Sequence, residues 1–307
     1  MVRPPDRTIK TAAPVSALAF APSGDEIGAS LKNGSFQVWS SAGQALRAWS
    51  SGEKGDDALA FSADGRLLAA ARGEGIVALS DAKNGRPGRS FKAHKGPITG
   101  LSFSRDGSLL GTASDDGTIA LWKTADGSLV FSFAGALGEA AAVAVSPAGD
   151  RVAGAWTDSD VRLVNAATGR LEHAITDLPM TAFALAFSSD GRLLACGCAD
   201  GVVSLREAAT GEKRGEPHRH AAPVGAVAFS RDSRLVASVG ISMNPGTRES
   251  EVRVGPVPTG DASVESIGVT EWNAIAFTPD GTAHVVCVEK DTLKIWDVRE
   301  PKPATKA

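Results

Sequence analysis

The chain has no tyrosine and only three cysteines among its 307 residues, and no segment approaches the roughly 18 apolar residues of a membrane-spanning helix. An odd cysteine count without metal-ligand spacing disfavours a disulfide framework and fits a reducing compartment. Cys196 and Cys198 stand two apart in an apolar run, so we expect both to pack on one strand face. Since the first segment also lacks an apolar leader core, a cytoplasmic location is expected.

The chain also has little excess of charge of either sign. The formal net charge is -3, and no run of lysine and arginine is long enough to form a basic tail. Without such a footprint, and with few aromatic side chains on which bases could stack, neither a nucleic acid nor a membrane is expected as a partner.

An internal repeat covers nearly the whole sequence. Its clearest copy lies between Lys92 and Phe133, where an Ala-His pair is followed by three apolar runs, the first ending in FSRDG and the third at Trp122. One residue per copy ends the first run: Phe20, Phe61, Phe103, Val145, Phe187, Phe229 and Phe277. The successive spacings are 41, 42, 42, 42, 42 and 48 residues. Apolar residues alternate with a period of two in every copy, which predicts strands and excludes a helical repeat.

Turn residues separate the apolar runs. After the first run, the copies read PSGD, SADG, SRDG, PAGD, SSDG, SRDS and TPDG, and such residues suit tight hairpins. A second turn follows the second run at Glu74, Asp116, Asp158 and Asp200, which lie 42 residues apart, and Asn33 holds this place in the first copy.

The order and spacing of these runs resemble those of WD-repeat (WD40) proteins, most closely the regular, alanine-rich arrays found in bacteria. The resemblance implies an all-β fold: a single seven-bladed β-propeller of four-stranded antiparallel blades. One domain would span 1–307, with a flexible tail at 301–307. The blades would fall at about 14–49, 50–91, 92–133, 134–175, 176–217, 218–267 and 268–300.

The same resemblance implies a buried polar tetrad of histidine, serine or threonine, aspartate and tryptophan in a regular blade. In the third copy it would consist of His94, Asp116 and Trp122 with a hydroxyl from Ser114 or Thr112, of which we take Ser114. Only His220 repeats the imidazole, in a copy that lacks the tryptophan and the aspartate. Most blades are therefore expected to hold together by apolar packing.

Closure of the ring requires a fourth strand for the last blade. The final residues, REPKPATKA, are too rich in proline and charge to supply one. We therefore predict that the N-terminal residues 7–12 pair with the last blade, as is usual in the family, because an open ring would expose strand edges.

The sixth copy alone is lengthened, by a loop at 240–251. The loop belongs to the face that also gathers the connections leading into each blade. Surface tryptophan, methionine and arginine are enriched at interaction hot spots. We predict a protein-binding patch on this face, although a neutral insertion and a tryptophan that merely covers its own blade are equally simple readings. The patch residues are Trp272, Met243, Arg248, Arg219, Met180 and Trp156.

Motifs for chemistry are missing. No nucleophile elbow, zinc-protease motif or phosphate-binding loop occurs, and Asp115 to Gly117 lacks the other ligands of a calcium loop. His218 and His220 could face a metal, but a lone pair is weak and a structural role is favoured. No catalytic residue, cofactor or metal is predicted.

The sequence thus predicts a non-enzymatic scaffold that presents a rigid face to a protein partner. Two alternatives stay open: an accessory or recognition subunit of an enzymatic, signalling or defence assembly, and an enzyme with its site in the central channel. The partner, the pathway and the oligomeric state have no signature in the sequence.

Overall fold

The computed structural model describes residues 3–50, 56–135, 138–241, 250–257, 263–267, 272–278 and 282–298. These residues form 28 strands and no helix. Accordingly, the described part of the chain contains no helix able to cross a membrane.

The strands fall into seven sheets, which we number as blades one to seven in the order of their first strands. Blades one to three comprise β2 Val15–Phe20, β3 Glu26–Leu31, β4 Ser35–Ser40, β5 Ala45–Ser50; β6 Asp56–Phe61, β7 Leu67–Arg72, β8 Ile76–Asp81, β9 Pro87–Lys92; and β10 Ile98–Phe103, β11 Leu109–Ser114, β12 Thr118–Lys123, β13 Leu129–Ala134. Blades four and five comprise β14 Ala140–Val145, β15 Arg151–Trp156, β16 Val161–Asn165, β17 Leu171–Ile175; and β18 Ala182–Phe187, β19 Leu193–Cys198, β20 Val202–Glu207, β21 Lys213–Arg219. Blades six and seven comprise β22 Val224–Phe229, β23 Leu235–Gly240, β24 Ser250–Pro256, β25 Ser263–Ile267; and β26 Trp272–Phe277, β27 Ala283–Glu289, β28 Thr292–Val298, with β1 Arg7–Lys10.

Each blade is an antiparallel sheet of four strands, and the first strand of each blade lies against the first strands of its neighbours. The first strands therefore line the centre of a ring. The predicted all-β fold, a seven-bladed propeller, is confirmed. Residues 301–307, the predicted tail, and the loop residues 242–249 lie outside the described part of the chain.

The core lies between blades rather than at the centre of the ring. Seven apolar clusters each combine residues of two adjacent blades. For example, Leu163 of blade four packs with Leu194 and Cys196 of blade five. A blade has two apolar faces and can bury them only against its neighbours, so the blades stabilise one another around the ring.

The turns after the first strands explain the recurring serine and aspartate. In blade two, Asp64 Oδ1 accepts hydrogen bonds from the Ser62 hydroxyl at 2.6 Å and from the Arg66 N–H at 3.0 Å. These bonds, the one from Ser62 first, lower the pKa of Asp64. Asp106, Asp190 and Asp232 repeat the bonding in blades three, five and six. These carboxylates fix hairpin geometry.

Closure follows the predicted route. Strand β1 pairs antiparallel with β28, with Ile9 opposite Leu293, and the Thr11 N–H donates to Asp291 O at 2.8 Å. Asp297 of β28 binds Arg7 of β1 and His284 Nδ1 of β27, the latter at 2.6 Å, and so links three strands of the blade. Arg3 reaches one blade further, where its N–H donates to Ser266 O of β25 at 2.9 Å. The N-terminal segment therefore ties blade seven to blade six as well as completing its sheet.

Deleting residues 1–12 should lower the free energy of unfolding by several kcal/mol, because the deletion uncovers the edge of β28 and removes Ile9, which is 8% exposed. Urea unfolding followed by circular dichroism measures the change. Deletion of residues 302–307 is the control and should change stability little; equal losses in the two variants would contradict closure by β1.

Candidate interaction face

The upper face is the end of the ring where each first strand begins and where the second strand turns into the third. In blade three these two connections are joined, since the Lys95 N–H donates to Asp116 Oδ2 at 2.9 Å. Gly117 completes the second turn with a φ of 84°, a left-handed conformation that glycine adopts without strain. The turn at Asp115 to Gly117 is thus structural.

Below this turn lies the polar tetrad, with one correction to the prediction. His94 Nδ1 lies 3.2 Å from Asp116 Oδ2, and its Nε2 lies 2.6 Å from the hydroxyl of Thr112. The Trp122 indole N–H donates to the same hydroxyl at 3.0 Å. The hydroxyl of the tetrad therefore belongs to Thr112. The choice of Ser114 was wrong, because this residue ends its strand and its hydroxyl donates to Pro97 O at 2.7 Å.

The protonation states of the tetrad follow from burial and bonding. Burial lowers the pKa of His94, although Asp116 opposes the effect, so the imidazole is neutral at pH 7. Burial acts to raise the pKa of Asp116, but hydrogen bonds from Thr118 and from the Lys95 N–H outweigh it and hold this pKa below its usual value. The blade is held by neutral and charge-assisted hydrogen bonds in a fixed arrangement.

Blade five has a charged substitute for the tetrad. Arg206 stands opposite Leu194, the place of Trp122 opposite Leu110, and is only 3% exposed. Its guanidinium donates to Ser204 Oγ at 3.0 Å and lies 2.7 Å from Asp177. The bond from Arg206 lowers the pKa of Asp177. Blade five packs through apolar residues against both neighbours, as expected for most blades, but this buried ion pair was not predicted.

Blade four uses another arginine. Arg162 is buried, its Nη2 donates to Asp160 Oδ2 at 2.7 Å, and its guanidinium carbon lies 5.0 Å from the centre of the Trp156 ring. The Trp156 indole N–H donates to Gly117 O of blade three at 2.9 Å. Trp156 has no exposed surface, so its predicted place in a surface patch was wrong. It is the last residue of β15 and packs between blades.

Blade six joins two imidazoles through one hydroxyl. Ser238 Oγ lies 2.7 Å from His220 Nε2 and 2.6 Å from His218 Nδ1, and His220 Nδ1 lies 3.2 Å from Glu251. Glu251 replaces the aspartate that the sequence lacks, and His218 takes the second bond to the hydroxyl. Serine, histidine and glutamate in this order resemble a hydrolase triad, but Ser238 is fully buried and the set is a structural staple.

The same histidines do not form a metal site. The two rings meet edge to face with centroids 6.3 Å apart, and both turn a nitrogen to Ser238. Within the described ranges, no three histidine, cysteine, aspartate or glutamate side chains are placed to hold a metal ion. Cys196 and Cys198 are buried packing residues, and burial raises the pKa of Cys198 to about 12, so neither thiol is ionised at pH 7.

The remaining patch residues are divided between exposed and undescribed positions. Met180 is 49% exposed in the connection that leads into blade five, and the Arg219 side chain is 66% exposed at the end of β21. Met243 and Arg248 lie outside the described residues. Trp272 begins β26, opposite Val288, and its side chain is not among those described.

Phe183 is an exposed aromatic residue that the sequence reasoning missed. In blade five Ala182 pairs with Cys198 and Ala184 with Gly197, so the bulge leaves Phe183 outside the ladder and 46% exposed. The same bulge recurs in the other described ladders of blades one to six, where the bulged residue is Ser16, Asp57, Thr99, Ala141 or Gly225. Phe183 alone in this set is large and apolar. Comparing the second residue of each first run could have revealed it.

A cavity of about 720 Å³ opens at the lower end of the central channel. Phenylalanines that end the first strands line much of it, among them Phe103, Phe187 and Phe229, and Arg105 and Arg231 stand at its rim. Asp64 is the one carboxylate among its described lining residues, which include no histidine. The cavity therefore lacks the convergent histidines and carboxylates by which a channel enzyme would have been recognised.

The bridging role of Thr112 leads to a stability prediction. Thr112→Val keeps the side-chain shape but leaves the indole N–H and the imidazole without a partner in the core, which costs about 2–4 kcal/mol of unfolding free energy. Ser114→Ala removes the bond to Pro97 O and the bond from the Asp116 N–H at 3.1 Å, and costs about 1–2 kcal/mol. Urea unfolding of both variants measures the difference, and a larger loss in Ser114→Ala would contradict the assignment.

The imidazole pair predicts sensitivity to acid. Burial lowers the pKa of His218 to about 3, with the charges of His220 and Arg253 adding to the effect against Glu251, and burial also lowers the pKa of His220. Since an unfolded histidine has a pKa of about 6.5, the unfolded chain takes up protons first. The stability that these groups contribute is therefore complete above about pH 6.5 and is lost as the pH falls.

His218→Phe tests this dependence, because Phe91 occupies the matching pair with Val77 in blade two. Between about pH 7.5 and pH 5, the free energy of unfolding should fall by about 1–2 kcal/mol less in this variant than in the wild type. Urea unfolding across that range is the measurement. An equal fall in the two proteins would show that His218 is not the titrating group.

Comparisons with known proteins agree with this architecture. The sequence model of WD40, described as "WD domain, G-beta repeat", matches residues 85–123 and 174–206, which end near Trp122 and at its counterpart Arg206. No curated protein matches the sequence. A chain in the crystal structure of a mitotic checkpoint complex superposes with a TM-score of 0.81 at 18% identity, covering 97% of this chain and 92% of that one. At this identity, the likeness shows the fold. The two matched segments and the seven-bladed ring together support a WD40 propeller.

Proposed function

We propose that the protein is a non-enzymatic interaction scaffold, and that a protein partner docks on the upper face of blade five around Met180 and Phe183. The observation that carries the proposal is the exposure of Phe183, which is 46% accessible on a strand beside the central channel. An aromatic side chain left half in water on a rigid strand gains apolar contact when a partner covers it.

The surroundings of Phe183 suit a partner. Met180, 49% exposed and three residues earlier, adds a second flexible apolar side chain, and methionine adapts its shape to different surfaces. The Arg219 side chain is 66% exposed at the end of the outer strand of the same blade and offers a polar contact at the rim. Met243, Arg248 and Trp272, on blades six and seven, stay predictions from the sequence. The resemblance to bacterial WD40 arrays also stays a prediction from the sequence.

Rigidity is the mechanism by which such a face would bind. Phe183 lies between two residues that pair with β19, and the staples of blades four and six fix the neighbours of blade five. A partner then meets side chains that are already positioned, and little conformational entropy is lost on binding. Binding of this kind requires no catalytic residue on the upper face.

Membership in a larger assembly is the alternative form of the same proposal. The mitotic checkpoint complex contains a chain with this fold, which supports a role as one subunit among several. Its partners are not carried over, because the likeness is one of fold. For this chain, the exposed pair on blade five would then be a contact between subunits.

A photo-crosslinking residue placed at position 183 identifies the partner. Covalent capture in cells of the native host should give a protein adduct that a crosslinker at position 129 does not give, because Leu129 is 51% exposed but lies on the outer strand of blade three. Mass spectrometry then names the captured protein, and the same protein captured from both positions would contradict docking at blade five.

With that partner purified, Phe183→Ala and Met180→Ala should each raise the Kd about tenfold, as expected for apolar anchors. Leu129→Ala is the matched control, with similar exposure and a similar loss of apolar surface, and should leave the Kd unchanged. Unfolding free energies of all three variants should stay within about 0.5 kcal/mol of the wild type. Equal effects on the Kd from positions 183 and 129 would remove the proposed site.

A further inference from the structure

A second surface, at the opposite end of the ring from the upper face, carries mostly basic side chains. A cavity of about 660 Å³ lies at the lower outer edge of blade two, between its outer strand β9 and the turn of blade three at Thr124 and Ala125. Its charged lining residues are Arg66, Lys83, Arg86, Arg89 and the single carboxylate Asp81. Four cations and one anion leave a local charge of +3 on a chain whose net charge is -3.

Comparison with blade one explains why Arg89 has no carboxylate partner. There, Arg47 precedes Ala48, which pairs with Gln37, and its guanidinium donates to both Glu26 carboxylate oxygens, at 3.0 and 2.5 Å. In blade two, Ser90 pairs with Ala78, which puts Arg89 at the place of Arg47. The place of Glu26, at the start of the second strand, is taken by Leu67. Arg89 has therefore lost the carboxylate that its counterpart binds.

The other cations have no strong internal partner either. Lys83, Arg86 and Arg89 make no side-chain hydrogen bond or ion pair within the described part of the chain, and all three are exposed. Arg66 lies 3.6 Å from Asp64 in a pair exposed to solvent, which contributes little. Asp81 accepts hydrogen bonds from the backbone N–H groups of Lys83 and Asn84.

One further carboxylate faces the site from blade three. The hydrogen bonds from Ser128 chiefly lower the pKa of Asp126, and the charges of Lys123 and Arg89 contribute to it. Asp126 accepts the Ser128 N–H at 2.9 Å and makes no hydrogen bond to Arg89. It fixes its own turn, as the other turn aspartates do, and leaves the cations of blade two available.

The lining also supplies apolar surface, from Leu67, Leu79 and Pro87. A cavity of this volume is of the size that holds a small organic ligand. Guanidinium groups bind phosphate through paired hydrogen bonds, whereas a lysine acts as a point charge. From these features, we propose that the cavity binds a small organic diphosphate, whose phosphates bind the excess of cations and whose organic part lies against the apolar residues.

Isothermal titration at constant ionic strength, with pyrophosphate and ADP as probes, tests the proposal. Both should bind saturably, and ADP should bind more tightly because its organic part contacts the cavity. Arg89→Ala should weaken binding at least tenfold. Leu67→Glu should do the same, because it restores the carboxylate that blade one has at Glu26 and so pairs Arg89 internally.

Arg170→Ala is the matched control. Arg170 occupies in the turn of blade four the position that Arg86 occupies in blade two, because the Asn165 N–H donates to Arg170 O as the Asp81 N–H donates to Arg86 O. It should bind both probes as the wild type does. Urea unfolding confirms that Leu67→Glu is folded. Binding without saturation, or an equal loss in Arg170→Ala, would reduce the site to general electrostatic attraction and overturn the proposal. Equal affinity for sulfate would do the same.

Discussion

The pairing of β1 with β28 is the contact on which the other interfaces depend. Each blade buries its apolar faces only against its neighbours, so a gap at one interface would expose the faces on both of its sides. The chain meets this constraint by bringing its first strand to its last blade. Ile9 then joins the apolar cluster between blades seven and one, and Asp297 of β28 binds Arg7 of β1. A closed ring holds the first strands in fixed positions. The upper face, at which these strands begin, is therefore rigid as well.

Within the closed ring, the blades satisfy their buried polar groups in different ways. Blade three uses neutral histidine and tryptophan around Thr112, whereas blade five places Arg206 where Trp122 stands. A buried arginine is costly unless a carboxylate is near, and Asp177 is supplied by the connection that leads into the blade. Arg162 of blade four follows the same rule with Asp160, whereas in blade six Glu251 lies beside the buried imidazole of His220. In blades four to six, loss of the family pattern therefore changes the polar partners but keeps a buried polar contact.

Periodicity was sufficient to predict the strands and the seven blades, because these depend on alternation and spacing that persist in every copy. The closing strand was predicted instead from the family resemblance and from the proline and charge of the final residues. The staples of blades four and five could not be predicted in this way, since Arg162 and Arg206 stand where the regular third copy has Ala120 and Trp122. Blade six keeps a histidine and a hydroxyl at the usual places and adds His218 and Glu251 to them. Thr112 and Ser114 are two residues apart and lie on the same face of β11, so alternation does not distinguish them. They differ only in their position along the strand. Phe183 looks like one more core residue until the bulge removes it from the ladder. Irregularities of register, which a single copy does not reveal and only a comparison of the copies could, decided the candidate site.

The two proposed surfaces differ in position and in chemistry. Phe183 stands at the upper end of an innermost strand, whereas the cations of blade two lie at the lower end of an outer one. A protein covering the apolar pair on blade five would not meet a small anion bound at Arg89, so both sites can be occupied at once. Coupling between them would require a movement of whole blades, which the interlocked clusters oppose. The propeller is thus suited to hold a protein and a charged small molecule independently, each at a place where one blade departs from the pattern of the others.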